Sequence, residues 1–331
     1  MYKTTRSVIL IVATLLFGMG TATAADFNMK FGSYAPAGDV MDQAAQDFAK
    51  RLVDLTKGRA MVNVFRNSTL GSNREVIEMA KVGSVDFLIS GSTHVSSFVP
   101  DLTALTFPYM FKDQKTMFDL LDGPIGKRLG ELANRNGLEV LGWWASGVRH
   151  VTNNRQPIVN PEDIKGLKLR TLPSPVHIAF FKKLGVIPTP MGWKGVMPAL
   201  QQGVIDGQEN PPAVVYPYRV YEFQKYYSLT GHANEPIMFV MSKKILDGLP
   251  ADVQSAIREA AAAATKFERG IADDYNKDML NKLRSVMKVN DVPQKTRAHF
   301  QSVAQSVYKD SYDKLSKDGR AIVDAIIAAN K

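Results

Sequence analysis

Residues 147–211 decide the fold. They read GVRHVTNN at 147–154, NPEDIKGLKLRTLPSPVHIAFFKKLGV at 160–186 and TPMGWKGVMPALQQGVIDGQENP at 189–211. Asn160 is a capping residue, Pro161 sits at the first position of a turn, and Glu162 and Asp163 fill its first turn. LKLRT then alternates as a strand does. Ser174 and Pro175 open the helix PVHIAFFKKL, which Gly185 ends. WKGVMPALQQ is a second helix, ended by Gly203, and VIDGQE a second strand. Strands alternating with helices imply a parallel α/β sheet. Arg170 ends its strand at the carboxyl side, where open α/β sheets bind ligands. Asn210 lies just past the next strand, and Arg149 follows LEVLGWWASG, beyond a third strand end. A guanidinium is a rigid fork of donors that fits a carboxylate by two parallel bonds. Taken singly, each arginine is more often a surface or interdomain ion pair, Asn210 a loop cap and Trp193 core. Together, Arg149, Arg170 and Asn210 are placed to converge on an anion.

Upstream, FNMKFGS reads as an opening strand, MDQAAQDFAKRLVDLTKG as a helix, MVNVF as a strand, REVIEMAKVG as a helix and VDFLIS as a third strand. HVSSFVPDLTALTFPYMF lacks a clear period. DQKTMFDLLDGPIGKRLGELANRNG reads as helices broken at Gly123-Pro124. Downstream, PIMFVMSKK is an apolar strand that returns to the first sheet. Val253, Ile257, Ala260, Ala264, Phe267 and Ile271 then mark a long helix from Pro250 to roughly Met287, which at 1.5 Å per residue spans about 50 Å. That length suits a brace across two units. Two more helices, TRAHFQSVAQSVYKDSYDKL and DGRAIVDAIIAAN, close the chain. There is no repeat, low-complexity segment or flexible linker.

Composition bounds the function. At 331 residues the chain is long enough for two compact α/β domains. Lys3 and Arg6 precede the apolar run SVILIVATLLFGMG, and Ala22-Thr23-Ala24 is a small-residue cleavage motif. Residues 1–25 thus read as a secretory signal peptide, and the mature protein as soluble and periplasmic. There is no cysteine, which excludes disulfides, thiolate metal sites and cysteine catalysis. The formal charge is +9; Lys3 and Arg6 account for two, leaving +7 on residues 26–331. The basic residues are scattered, so no nucleic-acid surface is expected, and steering of an anionic solute is. The five histidines have no metal-ligand spacing, and there is no GxSxG elbow or Walker A motif. No catalytic motif and no cofactor motif is present.

The run R-x-x-TN-x-R, then D-IKGLK-[LI]-R, G-x-x-PTPM and ALQ-x-x-x-[VI]-DGQENP, resembles the DctP-like periplasmic solute-binding proteins of TRAP (tripartite ATP-independent periplasmic) transporters. The likeness extends over the whole mature chain, including LGSNRE near residue 70 and the long late helix. It implies a two-lobed venus-flytrap α/β fold with several crossings between lobes and the late helix bracing both. On this reading lobe 1 is 26–147 plus about 236–274, and lobe 2 is 148–235 plus about 275–331. The resemblance further implies a monomeric receptor, without cofactor, that hands an organic acid to a sodium-driven permease of a small and a large membrane subunit. Arg170 matches the family's carboxylate-clamping arginine, Arg149 a second arginine of the site, and Asn210 an asparagine on the same carboxylate. Trp193 falls where an aromatic residue lines the pocket. Tyr34, Asn73, His232 and Glu235 fall near variable ligand-contacting positions. The rest of the solute is expected to be read by the other lobe around Tyr34, Asn73 and Ser92, and by the crossing near His232 and Glu235. The family's sialic-acid receptors carry Asn, Asp and Glu where this chain has Tyr34, Asn73 and Gly91, which argues against sialic acid. The expected solute is a uronate or similar sugar acid, with a C4-dicarboxylate or 2-oxo acid second. The competing classes are a periplasmic sugar-acid enzyme and a ligand receptor for a signalling sensor.

Overall fold

The computed structural model describes residues 25–330. The expected signal peptide, but for Ala25, lies outside the described residues. The strands are β1 (Phe27–Gly32), β2 (Ala60–Phe65), β3 (Phe87–Gly91), β4 (Leu138–Asn153), β5 (Lys168–Thr171), β6 (Ile187–Pro190), β7 (Gly207–Asn210), β8 (Tyr226–Ser242) and β9 (Lys288–Asp291). The helices of the first half are α1 (Val40–Leu55), α2 (Asn73–Val82), α3 (Ser92–Val95), α4 (Gln114–Leu121) and α5 (Pro124–Arg135). Those of the second half are α6 (Pro175–Lys183), α7 (Val196–Gln201), α8 (Pro212–Val215), α9 (Lys243–Gly248), α10 (Ala251–Val286), α11 (Gln294–Tyr312) and α12 (Lys317–Ala329).

Local chemistry explains the early elements. Asp39 caps α1 by accepting from the Met41 amide, and α1 buries Ala45, Phe48 and Leu52 on one face. Ser72 and Glu75 form a reciprocal capping box on α2. The rings of Phe31, Phe48, Phe87 and Phe239 pack within 6.2 Å of one another and fill the first lobe's core.

The strands form one mixed sheet in the order β2-β1-β3-β8-β4-β7-β5-β6, with β9 beside β8. β1 pairs parallel with β2 and β3, and β5 pairs parallel with β6 and β7, as the alternation of strands and helices predicts. The two middle strands differ from expectation. β4 and β8 are long, antiparallel to each other and to β7 and β3, with β9 parallel to β8, and run from one lobe into the other. Arg149 therefore lies inside β4, not beyond its end, and Asn210 is the last residue of β7, opposite His150. The apolar stretch 236–242 is only the second half of β8, and Lys243 and Lys244 open α9. The ladder between β4 and β8 shifts register at Ala145/Val148 and Arg149/Val151. Gly147 lies within the first of these shifts at φ +94°, and a Cβ there would meet the Asn276 side chain at 2.4 Å. The chain thus bends where it leaves the first lobe.

The helix expected from Pro250 to Met287 is α10, 36 residues long. Its first part, from Val253 to Ala272, joins the main core, and Leu283 joins the second cluster with Val196, Val215 and Val220. Along the way it touches α1, β4 and α8, so it braces both lobes. α12 departs from the expected division. Its apolar face, Ile322, Val323 and Ile326, packs on residues 100–105 and α4, in the segment assigned to the first lobe. No described helix is long and apolar enough to cross a membrane.

Candidate functional site

A closed cleft of about 40 Å³ lies where β3, β4, β5, β7 and β8 meet. Arg149, Arg170, Asn210, Trp193, Tyr34, Asn73 and Glu235 all line it. These seven expected residues come from seven separate elements or loops and meet only through the sheet order. A wider groove of about 970 Å³ runs between α5 and α10. Its Arg269 already pairs with Asp122, and no buried arginine faces it.

Arg170 is 1% exposed and has no carboxylate partner among the described residues. Its Nε and Nη2 both donate to the Met191 carbonyl, at 3.0 and 2.8 Å. That carbonyl follows β6, which the sequence reading missed because Pro188 and Pro190 argue against a strand. β6 is an edge strand, where proline is tolerated. The Trp193 ring covers the guanidinium at 5.8 Å, and the Tyr218 ring meets Trp193 edge-on. Burial pushes Arg170 down to about 10, against the pull of Glu209. It stays charged at neutral pH, and a buried charge without a counter-ion is costly unless a ligand supplies one.

Arg149 is buried too, but it is occupied. Its Nε and Nη2 grip Glu209 at 2.6 and 2.9 Å, Nη2 also donates to the Glu209 carbonyl, and Nη1 lies 3.4 Å from Glu235 Oε2. Burial pushes the Glu209 carboxyl up; Arg149 and His232 outweigh that and hold it well below the usual carboxylate range. His232 does not line the cleft. Its Nε2 meets Glu209 at 3.0 Å and its Nδ1 meets Thr230 at 2.8 Å, so it stands behind Glu209. Ser92 is also off the cleft, fully buried at the start of α3.

On the first-lobe side, Asn73 donates to the Ser90 hydroxyl at 3.1 Å, and the Tyr34 hydroxyl rests on Met41. Glu235 Oε1 accepts from the Thr93 amide at 3.0 Å. A Cβ on Gly91 would stand 2.5 Å from that oxygen, so Gly91 makes the room that Glu235 fills. Across the lobes, the Tyr218 hydroxyl donates to the Tyr34 carbonyl. Sequence reasoning missed His94, Ser146, Leu172, Val214 and Ile237 on the wall. Only their placement just after or within strands that reach the cleft points to them. No cluster of metal-ligating side chains occurs among the described residues.

The cleft therefore presents one uncompensated cation, Arg170, one carboxylate, Glu235, and amide and aromatic groups between. Such a site holds an anion and positions no nucleophile against a base. The chain matches the model of the family described as bacterial extracellular solute-binding protein, family 7, over residues 31–315. It is 36% identical over 263 residues to the 2,3-diketo-L-gulonate-binding periplasmic protein YiaO of Escherichia coli K12, covering 79% of this chain and 80% of YiaO. Among solved structures it resembles the sugar acid binding protein DctPAm of Advenella mimigardefordensis in complex with galactonate. That likeness has a TM-score of 0.88 and 30% identity, over 91% of this chain and 98% of the other. It also resembles a TRAP periplasmic solute-binding protein of Sulfurospirillum deleyianum with bound succinate, at TM-score 0.87 and 29% identity, over 92% and 99%. The two-lobed venus-flytrap architecture is common to them. The chain belongs to the family 7 extracellular solute-binding proteins, the solute receptors of TRAP transporters, and is a receptor, not an enzyme.

Proposed function

We propose that this chain is the periplasmic receptor of a sodium-coupled TRAP transporter for a sugar acid, a uronate or a close hydroxylated relative. The observation that carries the reading is Arg170, buried, charged and without a carboxylate partner among the described residues. A solute carboxylate supplies the missing counter-ion, with Asn210 beside it. Arg149 offers only Nη1, since Glu209 holds its fork. Trp193 forms an apolar wall over the carbon skeleton. Asn73, Tyr34 and Glu235 face the solute's other end, and His232 acts through Glu209.

The closed cleft has room for roughly three waters, so the lobes part to admit a solute and close over it. Closure excludes water, which strengthens the contact with Arg170. The bends at Gly147 and along β8 support lobe boundaries near 147 and 236. The signal peptide delivers the protein as a monomer to the periplasm, and the closed surface meets the permease's small and large membrane subunits.

The succinate-bound relative favours a second reading, a C4-dicarboxylate receptor. Glu235 weighs against it. A second solute carboxylate facing Glu235 meets a like charge, whereas hydroxyls can donate to it. Thermal melting with a panel of organic acids, followed by calorimetric titration of the hits, tests the proposal. Binding of a sugar acid, recovered unchanged, is the expected result. Selective binding of succinate overturns the sugar-acid reading, and chemical conversion of the ligand overturns the receptor reading.

A further inference from the structure

His94 is the least satisfied polar side chain on the wall of the cleft. It lies in α3, directly after the carboxyl end of β3. The amide of its neighbour Thr93 is tied to Glu235 at 3.0 Å, which fixes the backbone here. Both ring nitrogens are buried, and neither has a hydrogen-bond partner among the described residues. Other enclosed histidines differ. His232 uses both nitrogens, half-buried His150 accepts from the Gly231 amide at Nδ1, and His177, buried away from the cleft, has one buried nitrogen, Nδ1, without a partner among the described residues. Buried polar atoms are nearly always paired, so two orphans on one ring within a ligand cleft call for a partner from outside the chain.

The charge state of the ring narrows that partner. Burial pushes His94 down to about 4; Glu235 pulls the other way, and Arg170 and Arg149 add to the fall. At neutral pH the imidazole therefore carries one N–H donor and one bare acceptor. It cannot serve as a second cation for a second carboxylate. It can donate to one hydroxyl oxygen or accept from a hydroxyl proton.

We propose that His94 is a specificity-determining residue whose neutral imidazole hydrogen-bonds a hydroxyl of the solute, so that with Glu235 it selects hydroxylated monocarboxylates over dicarboxylates. Arg170 takes the carboxylate, while His94 and Glu235 read the hydroxylated end. This inference rests on the sugar-acid reading of the same cleft.

The test compares wild type, His94→Phe and His94→Gln by calorimetric titration and thermal melting, with D-galactonate, D-glucuronate and succinate as probes. His94→Phe is expected to weaken sugar-acid binding about 30-fold. Its ligand-free melting temperature holds or rises, because a phenyl ring leaves no buried nitrogen unpaired. His94→Gln keeps one donor and one acceptor and stays within about fivefold of wild type. Wild-type affinity in His94→Phe overturns the proposal and leaves the sugar-acid reading standing. A lower ligand-free melting temperature that accompanies lost affinity assigns His94 a structural role and also overturns it. A wild type that binds succinate but neither sugar acid overturns the sugar-acid reading, and this proposal with it.

Discussion

Arg149 and Glu209 form a two-point ion pair across β4 and β7, Nε to Oε2 at 2.6 Å and Nη2 to Oε1 at 2.9 Å, with both side chains buried. The arginine that sequence reading gave to the solute is thus first a structural partner. Removing the acid leaves the buried Arg149 guanidinium with only the long contact to Glu235, 3.4 Å from Nη1. Glu209→Ala is expected to destabilise the fold by about 3–5 kcal/mol, measured by urea unfolding. The sign with pH follows from the depressed carboxyl of Glu209. Its stabilisation is fully present above the unfolded carboxyl value, about 4.3, and is lost as pH falls below it. In Glu209→Gln that acid-side loss should shrink. An unchanged acid profile contradicts the pairing.

Arg170 behaves in the opposite way. It has no acid to lose, and its removal takes an unpaired charge out of the interior. Arg170→Ala should therefore melt no lower than wild type while losing about 2–5 kcal/mol of solute affinity, read by calorimetric titration. Arg170→Lys should bind poorly as well. An ammonium is a point charge, and it cannot donate twice to the Met191 carbonyl while meeting a carboxylate. Near-native binding by either variant removes Arg170 from the site.

The contrast between these two arginines shows what the sequence could tell. β1, α1, β2, α2 and β3 were legible because their apolar residues keep a single period and their caps are standard. β8 was read at half its length. Its first half carries Thr230, His232 and Glu235, buried polar residues that border the cleft or stand behind it. Burial of polar groups at a site breaks the apolar pattern on which strand reading depends. Arg170 and Asn210 were legible from strand ends. The hold of Glu209 on Arg149 was not, since it joins residues 60 apart in sequence through a strand pairing. His94 was passed over because a single histidine carries no spacing signal.

Gly91→Ala tests the fit of Glu235. The added methyl would stand 2.5 Å from Glu235 Oε1, so the carboxylate must leave the Thr93 amide. The backbone at Gly91 has φ −58°, so alanine brings no conformational strain. The expected outcome is a loss of about 1–3 kcal/mol in stability from the displaced hydrogen bond, seen in urea melts. Weaker sugar-acid binding should accompany it. Wild-type stability and affinity together would show that Glu235 is free to move.

Glu268 on α10 is fully buried, with Oε2 accepting from the Ala145 amide at 2.9 Å and Oε1 without a partner among the described residues. Burial pushes its carboxyl up to about 8. The folded state thus holds a proton that the unfolded state releases above about 4.3. The contribution of this group to stability falls as pH rises between those two values. Glu268→Gln keeps an acceptor for the amide without a charge to bury. It should flatten the decline and stabilise the protein at pH 8, as followed by thermal melts across that range. A mutant profile that still falls in parallel with wild type assigns the decline to other groups.

Tyr218 reaches across the lobes to the backbone carbonyl of Tyr34, and its ring also meets the edge of Trp193. On the proposed parting of the lobes this bond breaks, so it favours the closed form, and Tyr218 does not line the cleft. Tyr218→Phe keeps the ring against Trp193 and removes only the hydroxyl. One neutral hydrogen bond contributes about 1 kcal/mol, which corresponds to a roughly fivefold faster release of solute. Association should hardly change, because the open form that captures the solute does not contain the bond. Stopped-flow measurement of both rates separates this latch from a direct contact. Slower association at unchanged release would mean that Tyr218 shapes the entrance and does not hold the lobes together.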